Sequence, residues 1–552
     1  MKTLRLSMVC STLTLLAAGS ARAVPLTGVP NPNPKTPGFS APNGLSPELT
    51  EAVVAQGANP LENPASVTVG SNTVSISFYG YNGDGPFLPA PGDLPSVMPS
   101  HKVEASKTEP DKNTYLVLHG QRGNDPKYHY GTHFLFQGHE TGGSGYITRI
   151  NLDADPDHRV TLMATSDGNG KPLPVFDGST WNPFAKRLLF SFEGGANGGV
   201  WQATLDFPSK VDDLLGSIGQ GGFEGMQTDS EGNVWIVEDV GGAAGTVNTH
   251  AKQPNSFVYR FVPQHRNDLT RGKMQALQVI SLRSGQPIVF HPGQADADIL
   301  SPDVQDLHTY GLVFKTRWIT IHDTETDGTA PFNANALAKS KGGTPFKRPE
   351  NGQFRPGTGF REFFFDETGD TTLATEAGTT FGGLGSALRL SQEWPGANEG
   401  RLRLLFNGDQ EHNSFDNVAF WDANHIVYVE DRGDGLHTSL NALDSGWMLD
   451  VRKDYSKPQN KPVRILAQGR DASATIDSGF SGMAGFQNEG DNEITGIHVS
   501  DGDPSDDGLL GSKIPRPFHD GWRVFYTQQH GDNFTWEILP ARPERWEDRD
   551  DD

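Results

Sequence analysis

The sequence is nearly free of cysteine. Cys10 is the only one in 552 residues, and it lies inside a segment expected to be removed. Residues 1–23, MKTLRLSMVCSTLTLLAAGSARA, carry Lys2 and Arg5, an apolar stretch from Leu6 to Ala18, and Ala21-Arg22-Ala23 as an A-x-A cleavage site. The mature chain is therefore expected to start at Val24, to be secreted or periplasmic, and to hold neither a disulfide nor a reactive thiolate. Any metal must then be bound by oxygen or imidazole.

Positive charge is also scarce. Lys and Arg number 45 against 68 Asp and Glu, a net charge of −23, and loss of Lys2, Arg5 and Arg22 with the leader makes it −26. A field of that sign excludes nucleic acid and anionic membrane as partners, because binding a phosphate backbone needs a basic footprint. It favours cations. No later run approaches the ~18 apolar residues that would span a bilayer, so no membrane insertion is expected. Helical patterning is confined to short candidates near 265–278 and 332–340. Nothing fits H-E-x-x-H, G-x-S-x-G, a phosphate loop or a dinucleotide fingerprint. Asp153, Asp155 and Asp157 form a D-x-D-x-D run without the Gly and Glu of a calcium loop, which reads as a polar turn.

What the chain does have is turns: 65 Gly and 38 Pro, without any collagen-like period. Between them recur apolar runs of four to six residues, including TYLVLHG, RLLFSF, NVWIVED, RWITIHD, EFFFDE, HIVYVED and RVFYTQQH. Strand following strand in this way defines an all-β protein. Residues 24–68, rich in Pro and Asn, are expected as an extended N-terminal arm, 69–540 as a single domain, and 541–552 as an acidic tail. The protein is expected to be a monomer.

The chain also repeats itself. FEGMQTDSEGNVWIVED (223–239) and FDNVAFWDANHIVYVED (415–431) share length, the opening Phe-acid pair, an Asp before the turn, an Asn in it and a closing V-E-D. Looser relatives lie at 176–195, from Asp303 through 318–323, at 348–367 and at 492–533. Units of this kind, stretched by insertions, predict a β-propeller. In a hairpin turning at Asp422-Ala423-Asn424, the residues before the first strand meet those after the second. Asp416, Asn417, Glu430 and Asp431 then share one end of the sheet, and the same position in other repeats collects His139-Glu140, Glu193, Glu224 with Glu238-Asp239, Arg348 and Glu350, Glu493, and Gln529-His530. So many carboxylates would repel one another without cations, and calcium, a binder of six to eight oxygens, suits them best. The metal-ligand candidates are Glu140, Glu193, Glu224, Glu238, Glu350, Asp416, Glu430 and Glu493. Asp431 is expected to face solvent.

The motifs at these positions resemble those of the PhoX-type alkaline phosphatases, a family of secreted calcium- and iron-dependent β-propellers. FQGHET (136–141) is similar to that family's N-H-E segment, FKRPEN (346–351) to R-P-E, FDNVAF (415–420) to P-D-N-L, and NEITGIHVSDG with FYTQQHG to E-I-T-G and Q-H-P-G. The resemblance implies a metal-dependent phosphomonoesterase working at alkaline pH on a small phosphoester. It implies that Glu140, Glu193 and Glu350 bind metal, that Arg348 contacts phosphate, and that Asp416, Asn417, Glu430 and Glu493 line or bind the cluster. Arg348, Glu350 and Asn417 are the catalytic candidates, with Arg348, Gln529 and His530 on the substrate. One departure matters: the family's L-T-C-E-E appears here as LFSFEGG, so the cysteine is gone and thiolate-bound iron is in doubt. Two other readings use the same acids: a calcium-dependent lactonase or esterase propeller, which would not need Arg348, and a non-catalytic, calcium-stabilised binding propeller.

Overall fold

The computed structural model describes residues 26–29, 43–82, 107–432, 436, 439–440, 442–467, 493–529 and 533–541. The leader, His530 and nearly all of the acidic tail lie outside the described residues. Strands take up 44% of the chain against 8% helix, which makes the fold all-β.

Among the described residues the strands form six blades, each opening on a strand at the centre and running outward. The inner strands are Pro110–Val117, Ser179–Asn182, Phe223–Thr228, Gly352–Phe354, Phe415–Phe420 and Glu493–Ser500. Each touches the next, and the last returns to the first, so the ring is closed. Between every adjacent pair of blades lies an apolar core. Trp235 and Val237 of blade three meet Phe354 and Phe363 of blade four, and Phe364 of blade four meets Phe415 and Tyr428 of blade five. Sheets buried on both faces need apolar, β-branched or aromatic residues at consecutive positions, and VWIVE (234–238) supplies five buried residues in a row. The protein is a β-propeller.

Closure draws on the other end of the chain. Leu49–Ala55 pairs with Phe534–Pro540 as the outer strand of blade six, and Gly44–Leu45 pairs with Val463–Ala467 at the edge of blade five. The stretch expected as an arm across the surface is thus extended, but it adds strands to two blades, while Pro60–Val69 forms a hairpin with Asn72–Phe78.

Two local expectations change. Residues 265–278 are not helical: Asp268–Val279 is the outer strand of blade three, where Gly272, Met274 and Ala276 are buried at alternating spacing and 277–279 are buried throughout. The repeat expected around Asp303–Asp323 is not a blade of its own. Phe314–Asp323 pairs with the outer strands of both blade three and blade four and joins them into one nine-stranded sheet. The second helical candidate is a helix, Ala334–Lys341. Asn333 caps its start by accepting from the Ala336 amide at 2.7 Å, and Gly342 ends it in the left-handed region at φ 81°.

Candidate metal centre and active site

The site begins with a backbone irregularity. In blade five Phe415 pairs with Glu430 but Val418 pairs with Tyr428, so the inner strand carries one extra residue. The same bulge occurs between Phe223 and Met226 in blade three and between Pro110 and Asn113 in blade one. A bulge re-aims the side chains that occupy it. Here the first bulged residue is acidic each time, Asp111, Glu224 or Asp416, and the three carboxylates are turned toward one another at the propeller axis.

Other acids join them from strand ends. An oxygen each of Glu140, Asp177 and Glu193 lies within 4.8 Å of the others, and Glu224, Asp239 and Glu350 form a second such triad. The triads adjoin, since Glu193 bears on Asp239 and Glu224 on Asp177. Blade six contributes Glu493 and Gln529, whose Nε2 donates to Glu140 Oε2 at 2.8 Å. Asn417 Nδ2 donates to Asp416 Oδ1 at 2.7 Å and to Thr495 Oγ1 at 3.0 Å, and the Thr495 hydroxyl donates to the Asp111 carboxylate.

Two cations answer this charge from within the site. Arg348 grips Asp239 with two parallel bonds, Nε to Oδ1 at 2.8 Å and Nη2 to Oδ2 at 2.6 Å, and its Nη2 stands 3.4 Å from Glu350. Its backbone is left-handed at φ 58°, an unfavourable conformation for arginine that the surrounding structure holds in place. Lys112 donates from Nζ to Asn351 Oδ1 at 2.6 Å. Burial pulls its ammonium below the ordinary lysine range, while Asp111, Glu224, Asp416 and Asp366 pull the other way.

The balance is far from neutral, and the carboxyls show it. Burial, reinforced by Asp111 and Glu109, pushes Glu140 up to about 8. Burial together with Asp239 and Glu140 pushes Glu193 to about 10. Asp177, Glu224, Glu350 and Glu493 are raised well above the carboxylate range, again first by burial and then by like charge. Several oxygens also lack any donor although fully buried: Asp177 Oδ1, Glu224 Oε2, Asp416 Oδ2 and Asn417 Oδ1. Buried acceptors without donors are costly, and a bound cation satisfies them without a hydrogen. The donor set fits a hard, oxygen-seeking metal ion. The described residues contain no cysteine, and His139 offers no imidazole lone pair to the cluster. Its nitrogens pair with Thr108 and Thr148, and burial lowers it to about 3.

Of the residues singled out in the sequence, the structure brings together Glu140, Glu193, Glu224, Arg348, Glu350, Asp416, Asn417, Glu493 and Gln529. Glu238 and Glu430 are placed elsewhere. Glu238 Oε2 accepts from the Tyr259 hydroxyl, Asn335 Nδ2 and the Phe257 amide at 2.8, 3.0 and 3.2 Å. Glu430 Oε1 accepts from Arg432 Nη2 at 2.8 Å and the Asn413 amide at 3.1 Å. Both face into their own blades, and the next residue of each V-E-D takes the channel position. Asp239 belongs to a triad, and Asp431, expected in solvent, bears on Asp416, Glu493 and Arg348. Asp111, Lys112 and Asp177 were not singled out. Asp177 had a signal, since Phe176-Asp177 repeats the Phe-acid pair of Phe223-Glu224 and Phe415-Asp416; Asp111, preceded by proline, did not share it.

The fold and these side chains define a propeller with a carboxylate-lined channel able to hold metal ions. Residues 248–503 match the family model described as alkaline phosphatase PhoX. That segment includes Arg348, Glu350, Asp416, Asn417 and Glu493 and stops short of Glu140, Glu193, Glu224 and Gln529 at its two sides. No curated protein matches the chain. Among solved structures, similarity is found to TolB from Acinetobacter baumannii, at 10% identity over 80% of this chain and 66% of that one, with a TM-score of 0.28. A structure titled glucose dehydrogenase aligns at 12% identity over 79% and 97% of the two chains, TM-score 0.32. The WD40 β-propeller domain of Doa1 aligns at 8% identity over 80% and 99%, TM-score 0.26. Similarity this loose says nothing of function.

Proposed function

We propose that the channel is the active site of a secreted or periplasmic, calcium-dependent phosphomonoesterase that acts as a monomer on a small phosphoester. The observation that carries this reading is one guanidinium, Arg348, paired with Asp239 and Glu350 in an acidic cluster where Asp177 Oδ1, Glu224 Oε2 and Asp416 Oδ2 are buried without a hydrogen-bond donor. The match of residues 248–503 to the alkaline phosphatase PhoX model supports it.

In this reading Glu140, Asp177 and Glu193 hold one cation and Glu224, Asp239 and Glu350 another, with Asp416 and Glu493 alongside. The bound ions supply positive charge for the phosphoryl oxygens and lower the pKa of water enough to make it a nucleophile near neutral pH. The side chains do the rest. Arg348, whose Nε and Nη2 are engaged by Asp239, would turn its remaining Nη1 edge to the phosphoryl group and fix its orientation. Asp239 and Glu350 hold that guanidinium in place from behind. Gln529 and Asn417 fix the rotamers of Glu140 and Asp416 by donating to them. Burial keeps bulk water from screening the charges of Asp177, Glu224, Asp239 and Glu350, while Glu140 is half-buried and Glu193 exposed.

The test is hydrolysis of an aryl phosphate at alkaline pH by one preparation, with metal content measured before and after chelation. Activity is expected to vanish with the metal and return with calcium. Arg348→Ala is expected to lower turnover about 100-fold, the usual scale for losing a donor to the transition state. Metal-loaded protein with no phosphatase activity would leave only the lactonase or binding readings, and a metal-free preparation would remove all three.

A further inference from the structure

One side chain at the propeller axis is explained neither by the triads nor by the contact with substrate. Lys112 is the second residue of the blade one bulge, directly after Asp111, and is 2% exposed. The equivalent bulge positions hold Gly225 in blade three and Asn417 in blade five. From blade one the side chain reaches blade four, where Nζ meets Asn351 Oδ1 at 2.6 Å. Asn351 is fixed in turn, its amide donating to Asp366 Oδ1 at 2.8 Å and its Oδ1 accepting from the Gly352 amide at 3.0 Å. Gly225 leaves room for this crossing, since a Cβ there would lie 2.7 Å from Asn351 Cα. Four carboxylates, Asp111, Glu224, Asp416 and Asp366, act on the ammonium, and Glu224, Asp416 and Asp366 each keep a buried oxygen with no donor.

Resting on the metal-dependent reading above, we propose that Lys112 is a resident cation of the channel, a tethered ammonium that takes the place of one further metal ion and so limits how many divalent cations the carboxylates accept. An ammonium suits this role. It is a compact point charge with three donors, it cannot be chelated away, and it keeps the metal-free channel partly neutralised. It is a positioning residue, tied to Asn351 and acting on substrate only through the charge it places near these carboxylates.

The test compares full-length wild type with Lys112→Met, both loaded with calcium and freed of excess ion, by elemental analysis and by thermal unfolding with calcium or chelator. Lys112→Met is expected to carry one more calcium per chain, to melt lower than wild type in chelator, and to regain its midpoint with calcium. Lys112→Arg is expected to keep the wild-type content. Equal calcium in Lys112→Met and wild type would overturn the inference, because a lysine that only ties Asn351 in place gives that result. If Lys112→Met does not fold, Lys112→Met with Asp366→Asn removes charge and countercharge together and is expected to fold with wild-type content; its failure to fold also overturns the proposal. Wild type without calcium sinks the proposed function itself, whereas calcium in wild type and an unchanged count in the variant sinks only the role of Lys112.

Discussion

Blades three and five open on hairpins that share an opening Phe-acid pair and a closing V-E-D and are identical in register, bulge included, yet they treat the same glutamate differently. Glu238 is surrounded by neutral donors, and burial pushes it up to about 7. Glu430 has a guanidinium, Arg432, against it, and both are almost wholly buried. The bulged acids, Glu224 and Asp416, behave alike in the two hairpins: each reaches the channel, and each keeps a buried oxygen without a donor, as Glu238 Oε1 and Glu430 Oε2 also do within their own blades. The backbone device is therefore what the repeat retains for the site. The strand-end glutamate is solved blade by blade, as a structural problem of how to bury a carboxylate.

Mutations can separate the two hairpins. The largest effect is expected from Glu430→Gln, which leaves Arg432 buried without its counter-ion and should cost about 3–5 kcal/mol in denaturant unfolding. Next come Glu224→Gln and Asp416→Asn. Each should weaken calcium binding by at least 10- to 100-fold, the scale already set by losing an outer-shell partner, and yet raise the melting temperature of chelated protein, because a neutral amide removes like charge from the channel. A fall in the chelated midpoint would show that these acids are structural after all. Gly225→Ala should cost about 1–3 kcal/mol, since the new methyl meets Asn351 Cα and Cγ, both 2.7 Å from an ideal Cβ. Smallest is Glu238→Gln, at about 1 kcal/mol, because its partners are neutral and an amide oxygen still accepts from Tyr259. If Glu238→Gln proves as damaging as Glu430→Gln, or strips calcium from the protein, the contrast drawn between the blades fails.

The propeller was legible because its code is local. A Phe-acid pair, an Asp that caps the turn and a V-E-D ending recur, and Asp422 Oδ1 does accept from the Asn424 and His425 amides at 2.7 and 2.9 Å as such a turn requires. Most channel residues followed from that register. What could not be read was which member of each V-E-D faces the axis, since a bulge shifts facing by one residue and leaves no mark in composition. Lys112 and Asp111 were hidden for a related reason. They stand in a blade whose opening strand, PDKNTYLV, lacks the Phe-acid pair that marks blades two, three and five. The strands given by residues 44–55 escaped notice because their partners lie at the far end of the chain, and pairing at that distance leaves no periodicity to detect.

That late pairing governs when the protein can become functional during its synthesis. The strand Leu49–Ala55 is made early, but Phe534–Pro540, to which it zips, is the last strand among the described residues. Glu140 likewise waits for Gln529, 389 residues downstream, and Asp111 for Thr495. A nascent chain can stack its first blades on one another, but it has no finished channel. Contacts of such high sequence separation form slowly, so metal capture is expected to follow release of the whole polypeptide. A truncation that removes only the final strand should abolish calcium binding even though none of the metal-ligand candidates lies within it.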